Sequence, residues 1–184
     1  MGNPIAASTQ DFLAGLNVTV RETAEESVSN NSLRVSGMQL TLEEELNLAK
    51  AVLLIASADG LSKQERGALQ FLMIMSGIPN QIQRSVLDFD PEGVTLDHVS
   101  ELFERGSRKA AYVLSGATTV ASFDGLSVLE REQARELGEQ LGLSKSLVTA
   151  LIDNACELGA AMAGGDRTEV EALEKARQLL LTSA

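Results

Sequence analysis

The residues best placed to do chemistry in this chain come as two matched sets, Asp59 with Glu65 and Asp124 with Glu130. Each set sits in the same short phrase. From Ile55 the chain reads I-A-S-A-D-G-L-S-K-Q-E-R, and from Val120 it reads V-A-S-F-D-G-L-S-V-L-E-R. Carboxylate oxygens are hard ligands, so four of them gathered in one place could surround calcium or magnesium. Neither phrase contains the Cys or His that would favour zinc. The same residues also have a purely structural use. Asp-Gly stops a helix, because only glycine takes the left-handed backbone conformation cheaply, and Ser-x-x-Glu is a capping box for the helix that follows. Capping accounts for Ser62, Ser127 and both glutamates, but it does not require Asp59 or Asp124. Arg66 and Arg131 stand beside the acids in both copies, and pairing there would neutralise the cluster. The spacing is not that of an EF-hand, whose D-x-[DN]-x-[DN]-G loop and distant Glu are absent.

Whether the two phrases meet depends on the elements that carry them. The repeat has an offset of 65 residues and runs without a gap through Asp88/Asp153, with eleven identical pairs. It implies two copies of one supersecondary unit, packed about a pseudo-twofold axis. Thr41-Leu-Glu-Glu44 is a capping box that opens an apolar helix to about Ala58, which Gly60 stops. Ser62 opens the next helix, with Leu69, Leu72, Met73 and Ser76 on one face, and Gly77 ends it. Pro79 introduces a further helix through Ile82 and Val86. The second copy follows the same order: Ser107 to Phe123, then a helix opened by Ser127, then Ser144 to Ala163. Thr95 caps a short helix between the copies, and Asp166 caps a last one to about Leu181. No segment alternates with a period of two, so the expectation is an all-α bundle of about seven to nine helices.

The domain reading follows. Residues 1–40 form an N-terminal extension, partly flexible, with one weakly patterned helix over 9–28 and a linker over 29–40. Residues 41–184 form the helical domain, with repeat one over 42–92, repeat two over 107–157 and a C-terminal helix over 166–182.

The phrase A-D-G, a Ser and Glu opening the next helix, and a downstream L-G-L resemble the signature of the tellurite-resistance TerB-like family. Ala58-Asp59-Gly60 with Ser62 and Glu65 fits it, as does Asp124-Gly125 with Ser127, Glu130 and Leu141-Gly142-Leu143. The resemblance covers residues 42–163 and implies an all-helical, two-repeat bundle. It also implies a part in resistance to tellurite and other chemical stress, with acidic residues holding a metal ion. Phe123 stands where the family has a small residue, which puts the packing before Asp124 in question.

Other chemistry has little support in the sequence. His98, the sole histidine, lies at the start of a short helix. Cys156, the sole cysteine, falls among apolar neighbours and reads as buried and inert, and no intramolecular disulfide can form. No Walker loop, dinucleotide-binding glycine motif or zinc-protease helix occurs, so the chain is not expected to be an enzyme. Fifteen basic residues against 26 acidic ones give a net charge of -11, which argues against nucleic acid and anionic membrane as partners. No stretch is long and apolar enough to span a membrane and no signal peptide is evident, so a cytoplasmic location is expected. Two functions remain: a stress-response protein binding a divalent cation, or an acidic helical module that recruits a protein partner. Self-association is left open.

Overall fold

The computed structural model describes residues 2–57 and 60–184. The described chain is all-helical, without a strand, and forms a bundle of ten helices. Asp59 and Ala58 lie outside the described residues.

Two helices form the centre: α3 (Leu42–Ala56) and α7 (Arg108–Ala121). Every residue of α7 from Ala110 to Ala121 is buried, as is all of α3 except Glu43, Glu44 and Leu54. Their sequences explain this. Both are apolar around most of the circumference, so no face is suited to water. Small residues in α7 let neighbours come close, and α9 (Lys145–Gly164) takes advantage at Gly159. A Cβ there would lie 2.7 Å from the Ser122 Cβ and 2.9 Å from the Thr119 carbonyl oxygen. Around this centre, α8 (Val128–Gln140) packs on α7 and α9, α4 (Lys63–Met75) and α5 (Asn80–Leu87) pack on α3, and α10 (Arg167–Thr182) packs on α9 and α7.

Element starts keep the offset of the sequence repeat. Lys63 and Val128 open α4 and α8, and Asn80 and Lys145 open α5 and α9. The caps keep it too. Ser62 and Ser127 each accept from the amide of the Glu three residues on, at 3.1 and 3.2 Å, and each Glu accepts from its Ser amide at 2.8 Å.

The N-terminal segment differs from its sequence reading. Instead of one helix over 9–28 and a linker over 29–40, there are α1 (Pro4–Ala14) and α2 (Val18–Ser36). Asn3 and Asn17 cap them, and Gly37 closes α2 with φ 68°. The patterning of α2 is weak because it buries mostly small and polar residues: Ala24, Val28, Ser32 and Ser36. Hydroxyl contacts replace apolar ones, with Ser32 Oγ accepting from the Leu40 amide at 3.0 Å. This split raises the helix count above the expected nine; the short helix expected after Thr95 is α6 (Leu96–Ser100).

Lys50 ties α1 to the centre. It is fully buried on α3, donates to Ser8 Oγ and Thr9 Oγ1 at 3.0 Å each, and its Nζ lies 5.1 Å from the Phe89 ring centroid. Burial lowers its pKa to about 8.

Candidate functional site

The capping boxes bring two carboxyl groups together. Glu65 and Glu130 are each 2% exposed. In each, Oε2 is held by the Ser amide of its own cap. Glu130 Oε1 is buried without a hydrogen-bond partner, and Glu65 lies near enough to Glu130 and Asp124 for both to act on it. Burial pushes the Glu65 pKa up to about 7, the Ser62 contacts oppose this, and the charge of Asp124 and the contact with Glu130 add to it.

The glycines that precede the two caps are alike. Gly60 and Gly125 have φ of 105° and 102°, a region that a Cβ disfavours. Asp124 is exposed, yet close enough to act on Glu65. Of the four acids singled out in the sequence, Glu65 and Glu130 are therefore brought together, Asp124 stands beside them, and Asp59 lies outside the described residues. Among the described residues no three Asp, Glu, His or Cys side chains converge as a metal-binding group.

Arg131 does not neutralise the pair. It reaches across to α9, with Nη1 3.6 Å from Asp153 Oδ1 and Nη2 3.4 Å from Cys156 Sγ. Cys156 is half-buried rather than buried. His98 serves the backbone: its Nδ1 accepts from the Thr95 amide at 3.0 Å, taking the place that Glu holds in the other caps.

A second buried acid has almost no signal in the sequence. Glu45 is fully buried on α3, and neither carboxyl oxygen has a hydrogen-bond partner. Burial pushes its pKa up to about 7, against the pull of the nearby Ser76 hydroxyl and with a small addition from Glu44. Burial also raises the Tyr112 pKa, and Arg177 stacks over the Tyr112 ring with its Cζ 5.6 Å from the centroid. Glu45 follows Glu43 and Glu44 in the first turn of α3, where acids ordinarily face water and complement the helix dipole. Only the central position of α3 buries it. Lys50 did carry a signal, as a lone cation within the apolar run A-K-A-V-L-L.

The chain matches no protein-family model, and no curated protein or solved structure matches it significantly. The likeness to the tellurite-resistance family therefore rests on the doubled motif and the helical context that carries it.

Proposed function

We propose that this chain is a TerB-like stress-response protein of the tellurite-resistance type, whose paired loops hold a divalent cation. The single observation that carries the reading is the buried Glu65–Glu130 pair with the orphaned Oε1 of Glu130. A helix cap does not need its second carboxyl oxygen, and it does not need that oxygen buried without a partner. A cation would give that oxygen a partner. Oxygen donors alone favour calcium or magnesium. Glu65 and Glu130 would supply inner ligands, and Asp124 and Asp59 would add charge from the loops. The chain takes no part in bond-making under this reading; it binds, and binding sets the state of the two loops.

The test is calorimetric titration with calcium and with magnesium at matched ionic strength and pH 8, on the full chain and on Glu65→Gln/Glu130→Gln. Glutamine keeps the capping geometry and removes the charge. Saturable binding by the parent and none by the double variant is expected. A cation at 100 times its dissociation constant stabilises the folded state by about 2.7 kcal/mol, so melting should follow the calorimetry. No saturable heat with either cation would leave capping as the whole role of these residues.

A further inference from the structure

Helices α4 and α10 border an open trough beside α7. The two share no substantial packing among the described residues; each rests on α7, and α10 also on α9. A cavity of about 530 Å³ lies between them, continuous with a second of about 770 Å³ through shared lining residues that include Phe71, Phe123, Met162 and Val170. Such volumes are those of ligand sites. The trough follows α4 from Lys63 to Ser76, a length of about 20 Å at 1.5 Å per residue.

Three observations say what would fill it. First, the α4 wall is apolar and faces water: Phe71 (46% exposed) and Met75 (37%) line the trough, and Ile74 (56%) continues their stripe beside it. These are i, i+3 and i+4 positions, which form the stripe one helix presents to another. Their counterparts on α8, at the repeat offset, are Glu136, Glu139 and Gln140, so the same unit carries a polar face where nothing need cover it. Second, the charge is reversed. In a chain of net charge -11, the trough is lined by five of the 15 basic residues, Arg34, Lys63, Arg167, Lys175 and Arg177, and by two of the 26 acidic ones, Glu171 and Glu174. Arg177 is paired with Glu174 at 2.7 Å, whereas the other four form no ion pair among the described residues. Third, cations stand at both ends, Lys63 and Arg167 at one and Arg34 and Lys175 at the other. A ligand with one charged head needs only one such end.

We infer that this trough is a docking site for an amphipathic helix of a partner protein, about four turns long, apolar on one face and acidic at its flanks. Its apolar face packs on Phe71, Met75, Phe123 and Met162, and its acids meet the rim cations. Met75 and Met162 lend the wall the adaptability of unbranched thioethers, and helix-in-groove recognition reads such i, i+3, i+4, i+7 anchors. Phe123, the residue that departs from the tellurite-resistance motif, is part of the wall. The inference does not depend on the cation site, and either can fail alone.

The probe is a set of three fluorescein-labelled 14-residue peptides, capped at both ends, with Leu and Ile in three helical registers and Glu and Gln elsewhere. Matched peptides carry Lys for Glu. The full-length protein is compared with Phe71→Glu/Ile74→Glu, exposed positions that take the α8 residue type, and with Lys63→Glu/Lys175→Glu. Saturable one-to-one binding of at least one acidic peptide is expected, weakened about tenfold or more in each variant, with the Lys peptides bound at least tenfold more weakly. Absence of saturable binding by all three acidic peptides overturns the inference, as does equal binding of the Lys peptides or undiminished binding by Phe71→Glu/Ile74→Glu. Sedimentation that shows dimerisation abolished by Phe71→Glu/Ile74→Glu would assign the trough to a second copy instead. Saturable binding of myristate that displaces the peptides would assign it to a small amphiphile.

Discussion

Helices α4 and α8 are built from matching stretches of one repeat, and they agree at their caps and differ most where they face out. Both open with a Ser–Glu capping box, both follow a glycine with φ near 100°, and both deliver a glutamate 2% exposed to the same place. Leu72 and Leu137 are also shared, as are Gly77 and Gly142. Yet Phe71, Ile74 and Met75 on one become Glu136, Glu139 and Gln140 on the other. The glycine and the cap are constrained by backbone geometry, which is the same in both copies. The outer face is constrained only by what it meets, and that differs.

The inner faces are not wholly interchangeable, and the largest predicted effect tests this. Met73 is fully buried on α4, and its counterpart on α8 is Gly138. A Cβ at Gly138 would lie 2.5 Å from Val148 Cγ2, so α9 has moved into the space a side chain would need. Met73→Ala should cost about 2–5 kcal/mol by leaving a cavity, and Gly138→Ala about 1–3 kcal/mol by overpacking. Urea denaturation measures both. A negligible cost at Gly138 would mean the two cores are alike after all.

The next contrast is electrostatic. Glu45 is buried in the first copy, and its counterpart in the second is Ala110. Glu45 and Glu65 both have pKa values raised from 4.5 to about 7. A carboxyl raised on folding favours the protonated form in the folded state. Its contribution is present below pH 4.5 and is lost as pH rises to 7, where folding must hold a charge that water would rather solvate. Each pKa unit is worth about 1.4 kcal/mol, so stability should fall by a few kcal/mol between about pH 5 and pH 7.5. Glu45→Gln and Glu65→Gln should each flatten that slope, read as melting temperature against pH. A calcium or magnesium dependence confined to the upper part of the range, and lost only in Glu65→Gln, would separate the two sites.

The caps should break alike. Ser62→Ala and Ser127→Ala are each expected to cost about 1 kcal/mol, because each hydroxyl accepts from a helix-start amide. Gly60→Val and Gly125→Val should cost more, since both backbones have positive φ. A difference between copies beyond about 0.5 kcal/mol would show that the loops are not equivalent.

What could be read from the sequence divides along the same line. Helix type, the doubled cap and the glycine stops were legible, because each is a local rule: Ser-x-x-Glu has one geometry wherever it occurs. Whether Glu65 and Glu130 meet was posed by the repeat as a condition and not settled by it, because it depends on how distant helices pack. The N-terminal helices were poorly legible because α2 buries Ser32 and Ser36 where periodicity looks for apolar residues. Glu45 was illegible, since its burial comes from neighbours distant in sequence. The trough was illegible for the same reason. Phe71 and Met75 look like ordinary members of an apolar helix until the structure leaves them exposed on the wall of a cavity.

The smallest predicted effect is the most discriminating. Phe71→Glu/Ile74→Glu/Met75→Gln gives α4 the outer residue types that α8 already carries. Large exposed side chains contribute little to folding, and surface substitutions away from caps and cores usually fall within about ±0.5 kcal/mol each. Phe71 and Ile74 are the more exposed of the three, and Met75 sits at the edge of the trough. The triple variant should therefore unfold within about 1 kcal/mol of the parent in urea, with the same dependence on denaturant. An apolar stripe that can be removed at so small a cost is not there for the fold of the isolated chain. A loss of several kcal/mol would show instead that these side chains close the core, and the trough would then be a shallow fault in packing. Near-neutral stability combined with lost peptide binding would place the function of the stripe in what it meets, and would make the difference between α4 and α8 a difference in purpose rather than in drift.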